Sequence, residues 1–387
     1  MLFGAGRAAE LPDVVGALGA RPFVCTGGQP ARHAALIGLL PGARLVHPVT
    51  DEPTVEAARL AVTAARAHRA DAVVAIGGGS VLDLGKAVAA LLGNGTDPLD
   101  HLEVVGRGLP FAQPSAPFVA VPTTAGTGAE VTANAVLSVP SAGLKASLRG
   151  PSLLPRVALV DPLLTLGCPP AVTASSGLDA LTQCLEPFVS SFANPVTDAL
   201  ASEGLRRAGR ALRAAYTDGA NVAARTDMAL CSLLGGMSLA NAKLGAVHGF
   251  AGVVGGMVDV PHGVACAALL VPVVELNIRA ATEPGAAAAA GSGAGSGAGS
   301  GAGSVVLERY ASAARLLTGR PEATVADLVS WLRETVAQLG VRGLGAFGLS
   351  AAHADEVAAK AAGASSMRGN PVALSTAQLR EVFTAAL

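Results

Sequence analysis

Two of only seven histidines, His248 and His262, lie in LGAVHGFAGVVGGMVDVPHGVACA, residues 244–267, a stretch otherwise apolar and glycine-rich. An imidazole in such surroundings requires a hydrogen-bond partner, a metal or a substrate. Upstream, Asp179 and Gln183 are four apart in SSGLDALTQCLE, so a helix places both on one face. An aspartate and two imidazoles can hold a divalent cation that polarises a carbonyl or alkoxide oxygen. Gln183 adds only a neutral amide oxygen, a weaker ligand. The alternative is that His248 caps a helix and His262 bonds backbone carbonyls. Without a metal, either histidine can still donate a proton, directly or through water.

A second kind of chemistry is written in glycine and threonine. VVAIGGGSVLDLGKAVA places Gly77, Gly78 and Gly79 after an apolar strand and before a helix. Such a turn lets backbone approach a pyrophosphate, and Ser80 is positioned to cap a helix whose first amides favour anions. The spacing is not G-x-G-x-x-G, so that fingerprint does not apply. The alternative is a tight turn and nothing more. VPTTAGTGAEVT supplies hydroxyls at Thr123, Thr124 and Thr127 after another strand. Two such turns after parallel strands agree with ligand binding at the strands' carboxyl ends. A third turn, VCTGGQPAR, has Gly27 and Gly28 where nucleotide folds often place a ribose-binding acid. With no acid there and Arg32 close by, a 2′-phosphate is not repelled, so either NAD or NADP is expected.

The elements that must carry these groups follow from period and punctuation. Up to about residue 165, short apolar runs (ARPFVCTGG, DAVVAIGGGS, PFVAVPTTAGTG, RVALVDP) alternate with helical patterns, which predicts a parallel α/β domain over 1–165. From 166 to 387 the patterns are helical, with proline, serine or asparagine at their starts, and predict an all-helical domain. AAAAAGSGAGSGAGSGAGS, 286–304, cannot bury a core and is expected to be a flexible surface insert.

Composition narrows the partners. With 387 residues the chain is long enough for two cores. A net charge of -1 leaves no basic surface for nucleic acid. Asp259 and His262 interrupt the longest apolar stretch, so no transmembrane helix is expected, and the N-terminus lacks a signal layout. Five scattered cysteines without a C-x-x-C pair suit a reducing, cytoplasmic setting.

The motifs GGGSVLDLGKA, PTTAGTGAEVT, ALVDP, SGLDALTQCLEPFVS and VPHGVACA, in this order, resemble the iron-containing (group III) alcohol dehydrogenase family, which includes maleylacetate reductases. The resemblance runs from FGAG at 3–6 to about residue 280, with SMRGNP near the end. It implies a Rossmann-like domain, a helical domain and an active site in the cleft between. It further implies that Gly78, Gly79 and Ser80 bind pyrophosphate, with Asp83 nearby. Thr123, Thr124 and Thr127 would contact the nicotinamide nucleotide, and Lys145 the cofactor ribose region. The family's metal ligands map onto Asp179, Gln183, His248 and His262, which would hold iron (Fe2+) or zinc (Zn2+). A homodimer or larger oligomer is the family habit.

Two departures from the pattern stand out. Gln183 takes the place of a ligand histidine, and Gly252 the place of a histidine beside the nicotinamide. The first weakens a metal site, and the second enlarges the pocket. The resulting expectation is an NAD(P)-dependent enzyme passing hydride between nicotinamide and an alcohol, aldehyde or ketone. A metal-independent oxo-acid reductase ranks second; it would need cationic anchors, for which Lys243 and Arg368 are the candidates. Arg206, Arg207 and Arg210 read as a solvated helix face. A dehydroquinate synthase-like lyase would need more basic residues near the motifs than the chain has.

Overall fold

Runs such as DAVVAIG have no polar face, which suits strands covered on both sides. In the computed structural model, which describes residues 1–283 and 302–387, these runs form a six-stranded parallel sheet. Its strands are β1 (Leu2–Phe3), β2 (Pro22–Gly27), β3 (Leu45–Val49), β4 (Ala72–Gly77), β5 (Phe118–Pro122) and β8 (Val157–Val160). A hairpin of β6 (Asn134–Val139) and β7 (Leu144–Arg149) lies between β5 and β8 in the chain. The sheet order is β1-β8-β5-β4-β2-β3. The helices of this half are α1 (Leu11–Gly16), α2 (Ala34–Gly38), α3 (Val55–Ala67), α4 (Gly79–Asn94) and α5 (Pro98–His101).

Alternation along the strands divides the core in two. Phe23, Cys25, Val73, Ala75 and Phe118 pack with Ala61 and Val62 of α3 and Leu84 and Val88 of α4. The intervening Val24, Val74, Ile76, Val119 and Val121 pack with Leu11, Val15, Ile37 and Leu40. The chain moves outward from β2 to β3, then crosses back to β4 on the other side of β2. That reversal is where open α/β sheets bind ligands, beyond the strands' carboxyl ends. Register carries the ends of β2, β4 and β5 to this edge, with Thr26 opposite Ile76 and Gly77 opposite Pro122.

Sequence reading passes over β3 and the hairpin. Pro48 sits inside β3, which is tolerated because β3 is an edge strand. In β6 only Ala135, Leu137 and Val139 are buried, a short alternation followed by Pro140.

Packing separates the described chain into Met1–Cys168 and Pro169–Leu387. No strand follows β8 among the described residues. The second unit contains α6 (Pro170–Val189), α7 (Pro195–Thr217), α8 (Val222–Ala242), α9 (Ala246–Met257), α10 (His262–Thr282), α11 (Ala302–Thr318), α12 (Val325–Gln338), α13 (Ala354–Ala362) and α14 (Thr376–Ala385). Local signals set the starts. Asn194 and Thr197 form a reciprocal cap on α7, and Asn221 caps α8. Of the expected Gly/Ala/Ser insert, residues 286–301 lie outside the described residues, whereas Ala302–Ser304 open α11.

α10 is long and apolar enough to cross a membrane, the one single helix of that kind among the described residues. Most of it is buried within the protein, as a core helix would be. Arg207 and Arg210 correct another expectation. Both ion-pair with Asp227 and so tie α7 to α8 instead of forming a merely solvated face.

Candidate functional site

The helical unit brings three elements to one point. Asp179, Gln183 and Glu186 occupy successive turns of α6, all buried. His248 lies in the first turn of α9, and His262 is the first residue of α10. α8 and α9 meet at a bend of 100°, where Lys243 takes a positive φ of 60°. Gly263 allows α10 to start hard against α6: a Cβ there would lie 2.6 Å from the Ser175 carbonyl oxygen. A side chain at 263 would push His262 away from Asp179.

His248 Nε2 lies 3.2 Å from Asp179 Oδ1, and His262 Nε2 lies 3.9 Å from the same oxygen. On its other side, His248 Nδ1 meets Glu186 Oε2 at 2.6 Å, while Glu186 Oε1 accepts the Val247 amide at 2.7 Å. Glu186 thereby fixes the ring's tautomer and turns Nε2 toward Asp179, the usual arrangement behind a ligating histidine. Cys266 follows His262 by one turn, its Sγ 3.6 Å from His262 Nε2. One donor atom each from Asp179, His248, His262 and Cys266 falls within 4.8 Å of the others. Only His262 has substantial exposure, 35% of its side chain, so the cluster opens to solvent on that side.

The charges are mutually supporting. Burial pushes the Asp179 carboxyl up, but the His248 hydrogen bond, both imidazoles and a Gln183 hydrogen bond outweigh it and hold it below its ordinary value. Burial pulls His248 down; Cys266, Glu186 and Asp179 raise it well above the usual imidazole value. Cys266 and Asp179 push His262 up to about 9 against its burial. The surroundings favour positive charge on the two imidazoles.

All four residues singled out as ligands from sequence lie at this cluster, Asp179, His248 and His262 through their donor atoms and Gln183 through its hydrogen bond to Asp179. Gln183 supports Asp179 from one turn away through its hydrogen bond. Glu186 and Cys266 were not singled out from sequence. Glu186 is seven residues after Asp179 on the same helix face, and Cys266 repeats the i,i+4 spacing from His262, so each carried a helical-period signal. A Cβ at Gly252 would meet nothing within 4 Å. The oxo-acid candidates are placed less pointedly. Lys243 lies over the Phe192 ring at 3.9 Å, and Arg368 is exposed.

In the α/β unit the two glycine- and threonine-bearing turns sit side by side. The Thr123 amide donates to the Gly77 carbonyl at 3.0 Å. A Cβ on Gly79 would come within 2.7 Å of Thr127 Cγ2, so the turns fit only without it. α4 starts from Gly78 with no side-chain cap. Ser80 is therefore inside the first turn and does not cap the helix as expected.

Asp83 and Lys145 both have partners within the α/β unit. Asp83 Oδ2 accepts the Val136 amide at 3.1 Å, and buried Lys86 donates to Thr132 Oγ1 and the Asn134 carbonyl, each at 2.8 Å. Together they pin the segment after the threonine turn to α4. Lys145 pairs with Glu52. The Gly27–Gly28 turn has no acid of its own, but Thr50 touches Gly28 and Asp51 follows it after β3. An acid thus stands near this edge from the neighbouring strand.

Residues 1–162 match the family described as iron-containing alcohol dehydrogenase, and 173–387 match its C-terminal family. The chain belongs to the iron-containing alcohol dehydrogenase family. It is 43% identical over 220 residues to 1,3-propanediol dehydrogenase of Klebsiella pneumoniae, covering 56% of this chain and 55% of that one. The match therefore spans little more than half of that relative's length. A solved 1,3-propanediol oxidoreductase superposes over 100% of this chain and 97% of its own, with TM-score 0.87 and 28% identity. Sulfoacetaldehyde reductase from Bifidobacterium kashiwanohense, solved with NAD+, covers 100% and 96%, with TM-score 0.81 and 27% identity.

Proposed function

We propose that this protein is an NAD(P)-dependent oxidoreductase that interconverts a small alcohol with its aldehyde or ketone. The observation that carries the reading is the buried Asp179–His248–His262 cluster, oriented from behind by Glu186 and open to solvent at His262. Its donors are of the oxygen and nitrogen types that bind divalent iron or zinc. When bound, the metal supplies Lewis acidity to a substrate oxygen, and the dinucleotide supplies or accepts the hydride. Asp179, His248 and His262 would hold the metal, with Gln183 and Glu186 keeping two of them in place. Without the metal, His248 or the more exposed His262 would hand a proton to substrate oxygen, directly or through water.

Gly77, Gly78 and Gly79 would let backbone approach the pyrophosphate, while Ser80, Thr123, Thr124 and Thr127 offer hydroxyls beside it. The relatives named for 1,3-propanediol and sulfoacetaldehyde support a small substrate. Both NAD and NADP are kept as cofactors, because exposed Arg32 follows the Gly27–Gly28 turn while Asp51 stands across it. The five scattered cysteines without a C-x-x-C pair suit a reducing, cytoplasmic location.

The test is a reductase screen of aldehydes, ketones and oxo acids with NADH and NADPH, with and without iron or zinc. Metal-stimulated turnover of a small aldehyde or ketone is expected, and loss of it in His262→Ala. Failure of both dinucleotides to give a fluorescence-detected complex would reject the enzyme reading. Comparing kcat/KM for NADH and NADPH decides whether Arg32 or Asp51 dominates.

A further inference from the structure

We propose that Cys266 is a metal ligand in this protein, its thiolate completing an Asp–His–His–Cys set in which Gln183 does not take part. The inference rests on the metal-assisted reading above and deepens it. Ligands bonded to one tetrahedral ion at about 2.0–2.3 Å stand roughly 3.3–3.8 Å apart. Separations around the cluster are 3.2 Å for Asp179 to His248, 3.9 Å for Asp179 to His262, and 3.6 Å for His262 to Cys266. No donor of this four-residue set lies more than 4.8 Å from another. The arrangement therefore approaches ligand spacing.

Cys266 is held in place from the same helix as His262. Both project from the start of α10, which Gly263 lets sit against α6. Gln183 donates an amide N–H to Asp179, and its oxygen would be a weaker ligand than a thiolate. The chain thus pairs a neutral amide at one position with a soft, ionisable sulfur on the opposite helix. Metal binding would displace the thiol proton to solvent and form a metal–sulfur bond with no change of oxidation state. Thiolate in the set favours zinc and cobalt over ferrous iron.

Cobalt(II) alone, added to metal-stripped full-length protein, is the probe. Wild type is expected to take up one equivalent and to show the intense near-ultraviolet absorption of a sulfur–cobalt bond. Cys266→Ser should lose that absorption and bind cobalt at least tenfold more weakly, while Cys168→Ser keeps both. Zinc X-ray absorption on wild type, which needs no variant, should show one sulfur at about 2.3 Å. Stoichiometric cobalt uptake without sulfur absorption, or a zinc shell with no sulfur, overturns the thiolate and leaves the metal-assisted reading standing. No stoichiometric uptake of cobalt or zinc overturns both.

Discussion

Gly77–Gly79 and the Thr123–Thr127 turn offer backbone amides and hydroxyls along the carboxyl edge of a sheet. Asp179, His248 and His262 instead converge as side chains from three helices, with Glu186 behind them. The first construction excludes bulk: it works because a Cβ is missing. The second concentrates charge: it works because each ionisable group finds a counterpart in a buried setting. A substitution should therefore damage the two constructions in different ways, sterically in the α/β unit and electrostatically in the helical unit.

The largest effect is expected at His248. Replacing it with alanine leaves Asp179 and Glu186 buried without their shared partner, which costs about 3–5 kcal/mol of stability in comparable buried pairs. Turnover should fall about 10²–10⁴-fold, and metal should no longer be retained through desalting. Dinucleotide affinity, read by nicotinamide fluorescence, should stay within threefold of wild type. A parallel loss of dinucleotide binding would show that the two constructions are not separable.

Gly79→Ala is the reciprocal case. Its Cβ would stand 2.7 Å from Thr127 Cγ2, so either the threonine or the turn must shift. Overpacking of this kind costs about 1–3 kcal/mol, which should weaken dinucleotide binding about tenfold. Metal content measured on the same preparation should equal that of wild type. Unaltered dinucleotide affinity would remove Gly79 from the proposed pyrophosphate cradle.

The two constructions also differ in how much of them can be read along the chain. The glycine turn is contiguous, and the apolar runs before it have strand length, so β4, β5 and the turn between β4 and α4 were legible. β3 was not, because Pro48 and His47 interrupt its apolar pattern, and the acid that follows it, Asp51, could not be placed beside Gly28. In the helical half, Asp179, His248 and His262 were legible as chemistry-bearing residues. Their company was not. Glu186 lies in the same helix as Asp179 and looks like any charged residue on a helix, while its contact with His248 spans 62 residues of sequence. Cys266 reads as a small apolar residue within VACAALL until α10 packs against α6. Local geometry is carried by local sequence, whereas convergence is a product of packing.

The smallest effect concerns a pair of charged groups that the α/β unit buries. Lys86 and Glu130 are both buried close to the threonine turn. Burial draws the Lys86 ammonium down to about 8, against the pull of Asp83 and Glu130. Burial pushes the Glu130 carboxyl up to about 7, with Lys86 opposing the rise. Between pH 4.5 and about 7 the folded protein keeps a proton on Glu130 that the unfolded chain has released. Stability contributed there is complete below pH 4.5 and is lost as pH rises through 7. Between about 8 and 10.5 the unfolded chain keeps a proton that folded Lys86 has released, so this contribution grows as pH rises. Glu130→Gln mimics the protonated acid and removes the first limb. The wild-type minus variant difference in unfolding free energy, from urea titrations, should fall by on the order of 2 kcal/mol from pH 4.5 to 7. His248 and His262 titrate in both proteins and cancel in that difference. A difference that is flat across this window would mean that Glu130 is charged in the folded state near neutrality. The α/β unit would then bury a charged carboxylate near neutrality, as the helical unit does at Asp179.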